Sequence, residues 1–219
     1  LYASSAATYG DGAQGYSDEY TSGALARLRP RNLYGWSKHL FDRWAVHQVE
    51  RGRSVPPQWV GLKFFNVYGP NEAHKGSMKS VFARFYPQCA KGDEVALFRS
   101  QLATIADGEQ QRDFVYVEDC VDVLLWLLAN QWVNGIFNVG TGNACTFRRG
   151  IEELYAASGQ RPNIRYVDMP EALGEHYQYF TQADITRLRS VGYEAPFRSV
   201  AEGVQRYVTR YLATSDPHR

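Results

Sequence analysis

Tyr34 and Lys38 stand four residues apart in Tyr34-Gly35-Trp36-Ser37-Lys38. On a helix that spacing puts both side chains on one face, about one turn apart. A phenol with an ordinary pKa of about 10 is a poor base at neutral pH, but a neighbouring ammonium favours the phenolate and lowers that value. Such a pair can take a proton from a substrate hydroxyl. Ser5, at the end of an apolar run, offers a hydroxyl that could bind the same oxygen. Y-x-x-x-K also occurs by chance as an ordinary surface pair. What lifts it here is its company: Ser4-Ser5-Ala6-Ala7-Thr8-Tyr9-Gly10 precedes it, and Phe64-Phe65-Asn66-Val67-Tyr68-Gly69-Pro70 follows.

Bulk composition narrows the remaining classes. Lys plus Arg number 24 against 23 Asp plus Glu, which gives no broad basic field for nucleic acid. Any anion must be gripped locally. Cys89, Cys120 and Cys145 are odd in number and widely spaced, without C-x-x-C, so a reducing compartment fits better than zinc or a disulfide framework. The apolar stretch from Val121 to Trp132 carries Asp122 and Asn130 and is too short for a bilayer; it reads as a buried helix. No membrane association is expected.

The elements that must position these groups follow from periodicity. Leu1 to Ser4 reads as a buried strand entered midway, and Tyr9 to Arg31 as a long loop. From Leu33 to Gln48, Leu33, Leu40, Phe41, Trp44 and Ala45 recur at helical spacing, which predicts an amphipathic helix. Trp59 to Phe65 is apolar except for Lys63 and reads as a buried parallel strand. Downstream the pattern predicts a helix at 78–90, strands at 95–98 and 114–117, a helix at 119–128 and a strand at 136–139. A helix at 147–157, a strand at 164–167 and a last helix at about 199–212 complete it. The alternation predicts an α/β fold on a parallel sheet.

With these motifs in place the sequence resembles the extended short-chain dehydrogenase/reductases of the NAD-dependent epimerase/dehydratase kind. His74-Lys75-Gly76-Ser77-Met78, Arg112-Asp113-Phe114-Val115-Tyr116-Val117, Phe137-Asn138-Val139-Gly140-Thr141-Gly142 and Tyr179-Phe180-Thr181-Gln182-Ala183-Asp184 carry the likeness to the end of the chain. The His-Lys-Gly-Ser-Met and Phe-Thr-Gln-Ala-Asp segments resemble the branch that acts on an ADP-heptose. The resemblance implies a partial Rossmann-type parallel sheet with a smaller C-terminal substrate-binding domain. The dinucleotide-binding part would comprise residues 1–65, 115–142 and 173–192, and the substrate domain residues 66–114, 143–172 and 193–219.

Function is implied residue by residue. Tyr34 and Lys75 would be opposed bases at C6 of the heptose, exchanging hydride with NADP through a 6-keto intermediate. Ser5 would bind the reacting oxygen, Lys38 the nicotinamide ribose, and Val67 would lie against the cofactor. Asn66, Ser77, Arg84, Phe98, Arg99, Ser100, Arg112 and Tyr177 would contact substrate, with Arg112 suited to the pyrophosphate by its planar fork. By residue type alone Lys75 is a solvated loop lysine, Arg112 a surface arginine paired with Asp113, and Asn66 a turn cap. The resemblance further implies a cytoplasmic homo-oligomer in lipopolysaccharide core precursor synthesis, with NADP against NAD left open. A hexose 4-epimerase or dehydratase, or a catalytically silent piece, are the other readings. The latter arises because no βαβ unit opening on a glycine-rich fingerprint, expected about one hundred residues before Tyr34, precedes that residue in the sequence. Without its preceding strands the sheet would keep exposed edges, and the chain alone is expected to be poorly stable.

Overall fold

The computed structural model describes residues 1–171 and 177–216. Its strands are β1 Tyr2–Ser5, β2 Val60–Phe64, β3 Asn66–Tyr68, β4 Val95–Phe98, β5 Gln111–Arg112, β6 Phe114–Tyr116, β7 Gly135–Val139, β8 Cys145–Thr146 and β9 Ile164–Val167. Its main helices are α1 Ser22–Arg27, α2 Leu33–Glu50, α3 Val81–Cys89, α4 Val117–Ala129 and α5 Phe147–Ala157, followed by Thr186–Ser190 and Val200–Tyr207. The chain divides into two compact units. One comprises Leu1–Phe65, Cys120–Asn143 and Thr181–Pro196; the other comprises Asn66–Asp119, Ala144–Phe180 and Phe197–Arg219. The sequence-based boundary between residues 172 and 173 lies outside the described residues.

In the first unit β1, β2 and β7 form a parallel sheet in that order. Ser4 is level with Lys63 and Lys63 with Asn138. Parallel strands covered on both faces read as continuous apolar runs, which is why Val60-Gly61-Leu62 and Ile136-Phe137 are buried. α2 links β1 to β2. Asn32 starts it by accepting a hydrogen bond from Gly35 N at 2.8 Å. Gly35 lets the helix approach the turn after β1: a Cβ there would lie 2.8 Å from the Ala7 carbonyl oxygen.

Three sequence-based expectations are corrected here. Leu33, Leu40, Phe41 and Trp44 do not form the inner face of α2; all four are exposed, and the buried stripe is Gly35, His39, Asp42 and Val46. Those positions also repeat at helical spacing, and Asp42 finds polar partners inside that an apolar count cannot register. Likewise α4 is not buried all round. Cys120, Val123 and Leu127 face inward, while Val121, Leu125 and Leu128 are exposed, as is Trp132 beyond its end. Finally, the segment from Tyr9 to Arg31 is not all loop. A 3₁₀ turn, Ala6–Tyr9, precedes it, and α1 lies within it, started by Thr21 accepting from Ala24 N.

The second unit is built from short ladders: β3 with β6 and β4 with β9 run parallel, and β5 with β8 antiparallel. The segment after Phe65, which reads as a turn in the sequence, is therefore strand β3. α3, α5 and Val200–Tyr207 pack Phe82, Cys89, Ile151, Leu154, Val204 and Tyr207 onto Tyr68, Phe114 and Tyr116. Ser199 and Glu202 form a reciprocal capping box at the last of these helices. Its end runs into a π turn, Val208–Leu212. Among the described residues no helix is long and apolar enough to cross a membrane.

Candidate functional site

The first unit carries Ser5, Tyr34 and Lys38. Tyr34, in the first turn of α2, is 56% exposed and so open to a ligand. The Lys38 ammonium lies 5.8 Å from the centre of the Tyr34 ring and donates to the Ala3 carbonyl oxygen at 2.9 Å. That bond ties the helix to β1 two residues before Ser5. Ser5, buried at the end of β1, accepts from Ala7 N at 3.1 Å through Oγ, which leaves its own hydroxyl proton to donate elsewhere. A phenol, an ammonium and a serine hydroxyl thus share one helix start and one strand end.

Beneath them lies a polar network that the sequence-based site omits. Lys63 Nζ, only 1% exposed, donates to Thr8 Oγ1 at 2.9 Å, stands 3.7 Å from Asp42 Oδ2 and sits 4.3 Å over the Tyr9 ring. Thr8 Oγ1 donates in turn to the Ser5 carbonyl oxygen at 2.8 Å. Asp42 accepts from Ser4 Oγ at 2.7 Å and Tyr2 OH at 2.9 Å. Burial draws the Lys63 ammonium down to about 8 although Asp42 and Asp18 favour its charge, and burial pushes the Asp42 carboxyl up against the pull of Lys63. A sequence signal existed: a lone lysine inside a buried strand requires a counter-charge. Asp42, one turn beyond Lys38, supplies it.

Two further buried groups titrate in opposite senses. Burial lowers His39 to about 4, helped by Lys63, Arg43 and Arg29, and its Nδ1 has no hydrogen-bond partner among the described residues. Burial raises Asp18 to about 6, although it accepts from Asn138 N at 2.9 Å. The unfolded chain takes up the histidine proton first as pH falls below about 6.5, so the stability that neutral His39 contributes is lost toward pH 4. The folded chain holds the Asp18 proton longer, so its contribution is present below about 3.8 and lost as pH rises to about 6. Urea midpoints of the wild type should therefore vary weakly between pH 4 and 6. Asp18→Asn should make them rise with pH across that window, and His39→Leu should make them fall. Parallel curves for all three would refute the assignment.

The second unit carries the other candidates. Lys75 and Ser77 are exposed on the 3₁₀ segment Ala73–Met78, where Gly76 adopts φ 56°. Glu72, almost fully buried, anchors the start of that segment. It accepts from Ser80 N and Ser80 Oγ, both at 2.6 Å, and from Tyr207 OH at 3.2 Å, a support absent from the sequence-based site. Asn66 and Val67 lie in β3, with Asn66 N donating to the Asp113 carbonyl oxygen at 3.0 Å, so Asn66 is no turn cap. Arg84 is exposed on α3.

Arg112 is not a surface residue: it is 9% exposed, its guanidinium 5.5 Å from the Phe147 ring and 5.4 Å from the Tyr177 ring. Tyr177 meets Tyr179 edge-on, and Tyr179 OH accepts from Gln101 N at 3.0 Å. Arg112, Tyr177 and the segment Phe98-Arg99-Ser100 are thereby gathered. Burial raises the Tyr177 phenol against the pull of Arg112. Within that segment Arg99 already pairs with Asp168 at 3.3 Å and Asp107 at 3.7 Å, and Ser100 Oγ donates to Leu102 O. No group of three or more His, Cys, Asp or Glu that could hold a metal ion occurs among the described residues.

Residues 1–140 match the model of the NAD dependent epimerase/dehydratase family. The chain is 50% identical over 218 residues to the ADP-L-glycero-D-manno-heptose-6-epimerase of Nitratidesulfovibrio vulgaris, covering 100% of this chain and 65% of that protein. It is 45% identical over 224 residues to the enzyme of the same name from Fusobacterium nucleatum, covering 100% of this chain and 66% of that one. The chain thus spans about two thirds of the length of the curated relatives it matches. Among solved structures, Helicobacter pylori ADP-L-glycero-D-manno-heptose-6-epimerase superposes with a TM-score of 0.69 at 27% identity, over 95% of this chain and 58% of that one. UDP-N-acetylglucosamine 4-epimerase from Methanobrevibacter ruminantium gives 0.76 at 21% identity, over 97% and 62%, and shares the Rossmann-type fold.

Proposed function

The chain belongs to the NAD dependent epimerase/dehydratase family, and from that premise we propose that the protein inverts C6 of ADP-D-glycero-D-manno-heptose to give the L-glycero epimer. The observation that carries this reading is the placement of exposed Tyr34 beside Lys38 at the start of α2, with Ser5 on the adjoining strand. The half identity to a heptose epimerase over the whole chain supports the choice of substrate.

The donor set suits the ribose end of a nicotinamide dinucleotide, where Lys38 would bind the ribose hydroxyls and Val67 would pack. Gly10-Asp11-Gly12-Ala13-Gln14-Gly15 has the G-x-G-x-x-G spacing but follows the turn Ala6–Tyr9 and opens no helix, the next one starting at Ser22, so it does not offer the helix N-terminus that a pyrophosphate loop needs. The bound dinucleotide, NADP in this proposal, supplies a hydride acceptor and donor. Tyr34 removes or returns the C6 hydroxyl proton on one face of the substrate, Lys75 does so on the other, and Ser5 holds the oxygen through both steps. The 6-keto intermediate turns about its exocyclic bond between them, so configuration inverts without net oxidation. Arg112, stacked and largely shielded, would pair with the pyrophosphate of ADP.

The test uses the full-length protein with ADP-D-glycero-D-manno-heptose and, as a control, a UDP-hexose. Epimerisation of the heptose alone is expected, falling at least a hundredfold in Lys75→Met because a positioned acid or base contributes about 10²- to 10⁴-fold. Full epimerisation in Lys75→Met, with loss in Tyr34→Phe, would remove the two-base assignment. Preference for the hexose would remove the heptose.

A further inference from the structure

The Tyr34 helix and the Ser5 strand end meet beside a buried lysine of the neighbouring strand. Lys63 lies in β2, level with Ser4 of β1, and reaches up to the turn Ala6–Tyr9 rather than out to solvent. Its ammonium makes two connections. Through Thr8 Oγ1 it holds the hydroxyl that donates to the Ser5 carbonyl oxygen. Through Asp42 it meets the helix that bears Tyr34 and Lys38, two turns and one turn earlier, and Asp42 also grips β1 at Ser4 and Tyr2. Taking an ammonium and a carboxylate out of water costs several kcal/mol per ion, and a well-packed apolar pair of similar volume is often as stable. A stability role alone therefore does not account for the pair. What an apolar pair could not supply is direction: charged hydrogen bonds fix where the turn and the helix sit.

We propose that Lys63 is a positioning residue for the active site, with Thr8 as its relay, holding Ser5 at a set distance from Tyr34. The inference rests on the reading of Ser5 and Tyr34 given above. Ser5 binds an oxygen whose charge changes during the reaction, so a shift of its strand end weakens contacts in the transition state more than in the ground state. A misplacement of about 1 Å costs on the order of a hundredfold. The loss belongs in kcat, not in KM.

Two variants test this in the full-length enzyme, assayed well below their melting temperatures. Thr8→Val keeps the branched shape and the Lys63–Asp42 pair but removes the relay hydroxyl. Lys63→Met combined with Asp42→Asn removes both charges together, so no uncompensated ion remains to unfold the protein. Each is expected to lower kcat tenfold or more with KM within twofold, and combining them should cost no more than either alone, since they cut one relay. A kcat within twofold of wild type in either folded variant, or losses that multiply, would overturn the proposal. Crystal structures of the two variants give a readout independent of activity: Ser5 Oγ should move relative to the Tyr34 hydroxyl, and an unmoved Ser5 would also overturn it. If the wild type leaves ADP-heptose unchanged, the functional reading fails on its own, and the displacement of Ser5 still decides the relay.

Discussion

Tyr34→Phe in the full-length protein is expected to lower kcat for heptose epimerisation by about 10²- to 10⁴-fold, the span of a positioned general acid or base. Its fold should be untouched. Tyr34 is more than half exposed, and its hydroxyl makes none of the bonds that start α2; those come from Asn32. Surface substitutions of this kind change stability by about 0.5 kcal/mol or less, so the melting temperature should stay within a few degrees. KM should change little, because phenylalanine keeps the ring while removing only the proton carrier. A kcat within tenfold of wild type would show that the phenol is not the base, and Lys75 would then have to act through water. A collapse in melting temperature would assign Tyr34 to structure instead.

Asp42→Ala should be the most damaging single change to stability in the first unit, costing about 3–5 kcal/mol because one partner of a buried ion pair is removed and the other stays. Ser4 Oγ and Tyr2 OH lose their acceptor at the same stroke. The pH dependence makes the assignment specific. The folded chain already gives up the Lys63 proton at about 8, well before the unfolded chain near 10.5. Between those values the unfolded state binds more protons, so stability rises with pH as the buried charge disappears. Above pH 8 the wild type no longer has an ion pair to lose, and the deficit of Asp42→Ala should narrow. Urea unfolding at pH 7 and pH 9.5 measures this; an equal deficit at both would mean that Asp42 acts only as a hydrogen-bond acceptor.

Short elements, strand or helix, were legible where local chemistry marks their ends. Val95–Phe98, Phe147–Ala157 and Ile164–Val167 have the observed bounds because Gly, Asn or a capping Thr punctuates them. α2 shows where pattern reading stops. Its length and start could be read, but its orientation came out reversed, because apolar periodicity cannot distinguish a face turned to the core from one left outside. The residues that settle the matter, His39 and Asp42, are polar. The motif-bearing candidates Tyr34, Lys38 and Ser5 could be named from spacing. Thr8, Asp42 and Lys63 could not, since Lys63 reaches partners 55 and 21 residues away through a fold the spacing does not contain.

Both units are assembled from three separated stretches of chain. β2 ends at Phe64, yet its second neighbour, β7, begins at Gly135, and Ala183 of the same core comes later still. During synthesis at about 5–20 residues per second, the strand that carries Lys63 therefore waits several seconds with one flank open while the whole first stretch of the other unit emerges. Non-local pairing of this kind folds slowly and leaves sticky intermediates. Neither half can be finished by the ribosome before the other is well begun, so the interleaved order of the chain ties the completion of each unit to the emergence of the other.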